Sequence, residues 1–395
     1  MRLHLVASKP TDSVSHGILP AAARLGVDVI VLTDQPEAHQ KPDGYPPADV
    51  VRCDVHDVRA LIAAAAKLPA PDGVYSNSDH LQAQTALAAA YFGLPGKDWR
   101  SALRAKNKAL MRRCLAAAGH EPVTAIELPP GADVPDGLPY PLVVKPRDGV
   151  ASEDVVLVRD KAELTSRCAE ICARRPGQAM LAEQYLHGEL HTLETLGDGV
   201  TTWALGGFRT RLSSPPFFIE ERLTWDDGLP RGVRRRVEDA LAALGTGFGA
   251  CHTEFAWPAR GAPRIIEVND RLIGDHCDFL LADLFQMPLF EQVLRIHLGE
   301  PLAARPPRAR GHAIADYVVA DNSGVLTAAP PPAEIAGDDG TRLIYQPVRT
   351  VGDPVEVTRT NRDYLGVIRV IGPARGSVES AVQTFRARNT WQITS

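Results

Sequence analysis

Along the first hundred residues, apolar positions alternate between two periods. Residues 3–7 and 27–32 are rich in aliphatic and β-branched side chains and predict strands, while residues 15–25 between them predict a helix. The alternation continues with a helix over residues 58–67, a strand and turn at Gly73-Val74-Tyr75-Ser76, and an alanine-rich helix over residues 80–92. Such a succession predicts a parallel sheet covered by helices, with ligands taken by the loops after the strand C-termini. Those loops carry Ser8, Lys9 and the run Ser76-Asn77-Ser78-Asp79. No GxGxxG follows the first strand, so a dinucleotide site has little support.

Beyond residue 100 the pattern changes. Leu110, Cys114, Leu115 and Ala118, closed by Gly119, predict one helix over residues 106–119. A turn-rich stretch from Pro129 to Pro139 then leads into a strand at residues 142–145. A helix at residues 162–174 and strands at 179–183, 190–196 and 203–211 make the middle third α+β. After Pro301, proline clusters surround short strands at residues 315–319 and 366–371, which predicts a final subdomain.

The most informative stretch runs from Cys251 to Trp257, through a turn over residues 258–263, and on from Arg264 to Arg271. It predicts a hairpin. A symmetric turn sets Trp257 opposite Arg264 and Glu254 opposite Glu267. Alternation by two then groups His252, Glu254, Glu267, Asn269 and Arg271 on one polar face, with Phe255, Trp257, Ile266 and Val268 on an apolar one. Facing carboxylates destabilise a plain hairpin, so something positive is expected between them. Two Glu and an Asn amide are hard oxygen donors suited to Mg²⁺ shared with nucleotide phosphates. The plain alternative is a wet face on which both side chains point apart.

Two further segments are weaker alone. The strand ending at Lys145 is followed by a loop containing Gly149, Ala151 and Ser152, which can fold backbone N–H groups over phosphates with Lys145 as a point charge. The segment Glu183-Gln184-Tyr185-Leu186, running on to Glu189, can offer backbone groups and a carboxylate to an adenine edge. An ordinary surface hairpin and an ordinary strand exit are the plain alternatives.

Composition narrows the class. Hydrophobic residues make up 45% and charged residues 23% of the 395, which is globular and exceeds one core. A formal net charge of −5 gives no pull toward nucleic acid or an anionic membrane, and favours small-molecule chemistry. The six cysteines lack disulfide-scaffold or zinc-site spacing, and the N-terminal apolar run is broken at Lys9 and Pro10. Reduced thiols in the cytoplasm are the expectation, with neither membrane nor nucleic acid as partner.

In order and spacing these segments resemble the ATP-grasp superfamily: Lys108 at the head of a helix, the Lys145 strand and its small-residue loop, the Glu183 hinge, and Glu254 with Glu267-Val-Asn269-Asp-Arg271. The resemblance implies an α/β and α+β chain with a Rossmann-like pre-ATP-grasp domain at residues 1–100. It further implies a small lid subdomain at 101–190, a large catalytic subdomain at 191–310 and a C-terminal subdomain at 311–395 packing on the core. The last segment is similar to the L-amino-acid ligase and carnosine-synthase branch.

Carried over position by position, the resemblance implies that Lys108 and Lys145 contact ATP phosphates beneath a mobile loop over residues 149–152. Glu183, with the backbone of Gln184 to Leu186, would bind adenine. Glu254, Glu267 and Asn269 would hold one or two Mg²⁺, with Mn²⁺ as a substitute, and Arg271 would face the transferred phosphate. Relatives place a ribose-binding Glu two residues after the hinge glycine; here Leu190 stands there and Glu189 comes one earlier. Either the register slips by one or the ribose is held differently.

The implied chemistry is ADP-forming ligation of a carboxylate to an amine through an acyl phosphate, with an amino acid as one substrate, in an enzyme type that is often a homodimer. A formate- or bicarbonate-using ligase and a non-catalytic nucleotide-binding regulator are the alternatives. For substrate contacts the candidates are Ser76, Asp79, Asp275 and His276. Asp275 carries two readings: a partner for a substrate ammonium, or the N-cap of the helix that follows.

Overall fold

The computed structural model describes residues 1–39, 45–120, 122–226, 228–303 and 307–394. Its first unit is the expected parallel sheet, in the order Asp49–Arg52, Asp28–Thr33, Arg2–Val6, Gly73–Tyr75. Helices Leu19–Arg24, Val58–Ala65 and Gln82–Tyr91 stand where the apolar periodicity places them.

The predicted helix over residues 106–119 is present as Lys108–Ala117, starting two residues later. Helix Trp99–Lys106 ends at Asn107, whose backbone is extended at φ −90°, and a new helix runs over Lys108–Ala117. The Asn107 side chain accepts from the Leu110 N–H at 3.0 Å, so a cap interrupts what the spacing alone reads as continuous. This break puts Lys108 in the first turn, from where it points into the cleft described below.

A small antiparallel sheet follows, in the order Ala125–Leu128, Met180–Gln184, Leu142–Pro146, Val156–Val158, backed by helix Lys161–Arg174 with Asp160 as its cap. The largest sheet has nine antiparallel strands. Its first five are Arg264–Asn269, Phe248–Trp257, Glu189–Asp198, Thr202–Leu212 and Glu220–Asp226. It then runs without interruption into His312–Val319, Tyr364–Gly372, Arg342–Pro347 and Ala333–Ala336. The expected boundary near residue 310 therefore falls within one continuous sheet. Residues after 311 do have a core of their own, where Ile368, Val370, Val378 and Phe385 pack together.

Both faces of the large sheet are covered. On one, Leu196, Phe208 and Trp225 share a core with Leu3, Leu5 and Val31 of the N-terminal unit and with helices Cys277–Phe285 and Leu289–His297. On the other, Phe255, Ile265 and Val268 pack on helices Arg231–Leu244 and Lys108–Ala117.

The hairpin keeps its key pairing by an unexpected route. Glu254 faces Glu267 and His252 faces Asn269, but a bulge lies between Glu254 and Phe255, after which Phe255 pairs with Ile265 and Ala256, not Trp257, with Arg264. The extra residue is Ile266. It leaves the apolar face, where Ile265 takes its place in the core, and lines the cleft. Phe255 is fully buried directly behind Glu254. Phe255→Ala should cost about 3–5 kcal/mol of stability by opening a cavity in this layer. Urea unfolding checks this, and a loss below about 1 kcal/mol would show that the layer is not close-packed.

Candidate active site

Between the small sheet, the large sheet and the N-terminal unit lies a cleft of about 1030 Å³, at the upper end of the range for small-molecule sites. Its floor is the Glu254–Glu267 pair. The carboxylates face each other across adjacent strands, and cationic groups sit on both sides. The Lys108 ammonium is 3.1 Å from Glu267 and also donates to the Gly149 carbonyl at 3.0 Å. Burial works against the Lys108 charge, but Glu267 outweighs it and raises the pKa. On the other side His252 lies 3.4 Å from Glu254 and 2.8 Å from Glu194. Burial opposes protonation of this imidazole, yet Glu194 and Glu254 together push its pKa up to about 10. The imidazolium in turn holds the Glu254 carboxyl below its usual range, against burial. With its amide nitrogen turned toward them, Asn269 is 3.1 Å from Glu267 and 3.2 Å from Asp79.

The second cluster sits under the small sheet. Lys145 is 2.6 Å from Glu183, and Arg112 grips the same carboxylate at 2.7 and 3.2 Å. All three side chains are buried. Burial would raise the Glu183 pKa, but Lys145 and Arg112 overcome it and hold it at about 2; desolvation lowers that of Lys145. The Glu183 carboxylate is thus engaged by protein cations, and the hinge lines the cleft with Glu183, Gln184, Tyr185 and Leu186. Sequence reasoning missed Arg112. Its signal was present: it lies four residues after Lys108, on the same helix face.

Above these groups runs the loop that follows Lys145, with Gly149, Ala151 and Ser152 lining the cleft. Ala151, Ser152 and Asp154 adopt left-handed backbone at φ 55°, 54° and 57°, a conformation non-glycine residues hold only where surroundings enforce it. Arg271 sits at the far side, donating to the Leu272 carbonyl at 2.7 Å and lying 3.9 Å from Asp79. Asp79 is also 2.6 Å from Lys106, and these cations bring its pKa to about 2 against the effect of burial. Asp79, expected to touch substrate, lines the cleft with its carboxylate shared between Lys106 and Asn269 and with Arg271 nearby.

Two other substrate candidates are corrected. Ser76 is buried, and its hydroxyl accepts from the Ser78 N–H at 3.1 Å, closing a local turn away from the cleft. His276 pairs with Asp12 at 2.8 Å and leans on Phe279, outside the cleft lining. Asp275 does line the cleft, and it is not the helix cap. His276 occupies the cap position of helix Cys277–Phe285, with no side-chain cap bond. The Asp275 carboxylate has no hydrogen bond or ion pair among the described residues, although its backbone carbonyl accepts from the Tyr317 hydroxyl at 3.1 Å. It is surrounded by protein yet open to the cleft, and this desolvation raises its pKa despite Arg271 nearby.

Both candidate positions after the hinge glycine reach the cleft lining. Leu190, paired with Ala256 and Thr210, faces the cleft, while Glu189 lies at the rim, 3.8 Å from Arg209. Thr210 brings to that same face a buried hydroxyl with no partner among the described residues. Glu220 was also missed. It enters the cleft wall beside Glu254, and burial together with that like charge raises its pKa to about 8. Nothing in the sequence separates it from its neighbour Glu221.

Residues 105–275 match the profile of the ATP-grasp domain family. This stretch is an ATP-grasp domain. The whole chain is 28% identical over 416 residues to the uncharacterized protein y4rH of Sinorhizobium fredii (strain NBRC 101917 / NGR234), covering 100% of this chain and 84% of the relative. It superposes on the L-amino acid ligase of Bacillus licheniformis with a TM-score of 0.82 at 22% identity, covering 100% and 99% of the two chains. The biotin carboxylase domain of the Hydrogenobacter thermophilus 2-oxoglutarate carboxylase, solved with MgADP and bicarbonate, gives a TM-score of 0.70 at 15% identity over 99% and 90%. The two structural likenesses show that the fold shared with these enzymes extends over the full chain. Among the described residues no helix is long and apolar enough to cross a membrane.

The buried Lys145–Glu183–Arg112 cluster sets a pH dependence. Glu183 is depressed from its ordinary 4.5 to about 2, so its stabilisation is fully present above pH 4.5 and is lost as pH falls toward 2. Glu183→Gln should destabilise the protein by about 3–5 kcal/mol at neutral pH, by leaving two buried cations unpaired. The gap from wild type should narrow steadily below about pH 4. Urea midpoints of both proteins across that range check the sign, and a gap independent of pH would contradict it.

Proposed function

We propose that this protein is an ATP-dependent ligase that joins a carboxylate to an amine, releasing ADP and phosphate, with an amino acid as one substrate. The observation that carries this reading is the opposed Glu254–Glu267 pair with Asn269, ringed by Lys108, Lys145 and Arg271 beneath the 149–152 loop. Among the described residues no three His, Cys, Asp or Glu side chains converge as a metal cage. The two carboxylates instead fit Mg²⁺ whose remaining positions are filled by phosphate oxygens and water, and Asn269, 3.1 Å from Glu267, would turn its amide oxygen to the ion. Bound there, Mg²⁺ would supply charge neutralisation for the nucleotide phosphates.

The chain's own residues account for the rest. Lys108 and Lys145 offer point charges to the phosphates, and the backbone of Gln184 to Leu186 offers an adenine edge its hydrogen bonds. A substrate carboxylate oxygen attacks the γ-phosphorus, the bond to the β-phosphate oxygen breaks, and ADP leaves. Arg271, its guanidinium oriented by Leu272 and Asp79, faces the charge that develops on the moving phosphoryl group. The amine then attacks the acyl phosphate carbonyl and loses a proton. Phosphate departs, leaving an amide. Closure of the loop over residues 149–152 keeps water from the acyl phosphate. Asp275, with an unpaired carboxylate in the cleft, is suited to an ammonium group on the substrate.

Paired acids and amines, assayed for phosphate release with products weighed by mass spectrometry, test the reading. Release that needs both an acid and an amine supports it. Release with formate or bicarbonate alone, or ADP binding without turnover on any pair, refutes it. Glu267→Gln should lower kcat by about 100-fold or more through loss of charge stabilisation, with the melting temperature near that of wild type because relief of the repulsion with Glu254 offsets the loss of the Lys108 partner. Near-normal turnover at low Mg²⁺ would remove Glu267 from the metal site. Asp275→Asn should raise KM for one substrate by about tenfold, the equivalent of ~1.4 kcal/mol, and leave KM for ATP unchanged. Unchanged KM values for all substrates would end the recognition role.

A further inference from the structure

The ATP-grasp match ends at residue 275, yet a turn some eighty residues later reaches into the same cleft. It is built to hold its shape by itself. The buried Asp363 carboxylate accepts from the Thr358 N–H at 2.8 Å, the Thr358 hydroxyl at 2.7 Å and the Arg359 N–H at 2.7 Å. Thr360 accepts from the Arg362 N–H at 3.1 Å. From this fixed turn Asn361 projects between two parts of the cleft that do not otherwise belong to one element. Its main-chain N–H donates to the Ala151 carbonyl at 3.1 Å, in the loop above the phosphate site. Its side-chain oxygen accepts from the Glu220 N–H at 3.0 Å, and its side-chain nitrogen donates to the Glu220 carboxylate at 3.2 Å. Next to it Arg362 pairs with Glu153 of the same loop, and Glu153 is paired again with Arg175 at 2.6 Å.

We infer that Asn361 is a positioning residue of the active site, fastening the loop over residues 149–154 to the cleft wall at Glu220. The inference rests on the proposed function, in which that loop covers the phosphates. Three features support it. The loop holds three non-glycine residues in left-handed backbone, so it needs external contacts to keep that shape. The contacts it receives from the C-terminal segment, to Ala151 and Glu153, flank Ser152 on both sides. The side-chain chemistry is also selective. Glu220 presents a donor and an acceptor to the same group, which an amide answers with both of its ends. A carboxylate at 361 would lose the donor that the Glu220 carboxyl accepts from. The same clamp fixes Glu220 beside Glu254, so loop closure and the acidic wall of the cleft are held by one residue.

The test is hydrogen–deuterium exchange on peptides covering residues 148–154 in wild type, Asn361→Ala and Asn361→Asp, each with and without MgADP. Exchange of this loop should rise about tenfold in both variants, while the neighbouring strand Met180–Gln184 exchanges as in wild type. With an acid–amine pair from the screen above, phosphate released per amide formed should climb above one, because water entering an open loop returns the acyl phosphate to acid and phosphate. A merely structural role would slow turnover without changing that ratio. Loop exchange equal to wild type in both variants overturns the inference, as does a rise spread evenly over the whole protein. Failure of the ligase reading would look different: wild type itself would release no phosphate that depends on both an acid and an amine, while the exchange data would still decide the clamp.

Discussion

The cleft is organised around one electrostatic conflict, two glutamates set opposite each other on adjacent strands. In a bare hairpin that pairing costs stability. Here each carboxylate has been given a cation: Lys108 from a helix start for Glu267, and the His252 imidazolium, itself held by buried Glu194, for Glu254. The repulsion is balanced and not relieved, so the pair keeps its high negative charge density facing open space. Glu220 and Asp275 continue the wall as carboxyl groups, both shifted toward the neutral form by burial. A site of this kind is prepared for a multivalent cation and an ammonium group, and cationic residues opposite prepare it for phosphates.

Holding such charges in place requires every layer of the chain. The N-terminal unit supplies Asp79, which lies against Lys106, Asn269 and Arg271, so side chains of the cleft floor are oriented from outside the ATP-grasp domain. Lys97, from the segment after that unit, reaches the buried Asp270 carboxylate at 3.0 Å, outside good hydrogen-bond alignment, and also bonds the Asp270 backbone carbonyl. It thereby pins the strand end between Asn269 and Arg271. The C-terminal turn supplies Asn361 and Arg362. A shared core running from Leu3 and Leu5 through Phe208 and Trp225 to helix Leu289–His297 keeps these contributions in register.

Much of this was legible in the chain. Strong periodicities located the parallel sheet, the hairpin and the small sheet, because burying one face of a strand imposes a pattern that local sequence must carry. Lys108, Lys145, Glu254, Glu267, Asn269, Arg271 and Asp275 were all marked out as site residues, and all line one cleft. Element ends were less legible. Asn107 divides two helices with a single capping bond, which the spacing of leucines and alanines around it conceals. The bulge at Ile266 restores a pairing that the loop length alone would have shifted by one residue.

By itself, then, the sequence determined which residue types were available and which faces had to be buried, since these follow from hydrophobic period and short motifs. Only the tertiary structure decided which charges meet. That Glu183 is spent on Lys145 and Arg112, that Asp79 serves Arg271, that Asp275 is left open while His276 turns to Asp12, and that Asn361 joins Ala151 to Glu220 are all long-range facts. Their partners lie far apart along the chain or on different elements. Charge pairing over a few ångströms depends on where the packed layers bring side chains together, and no local pattern records that distance.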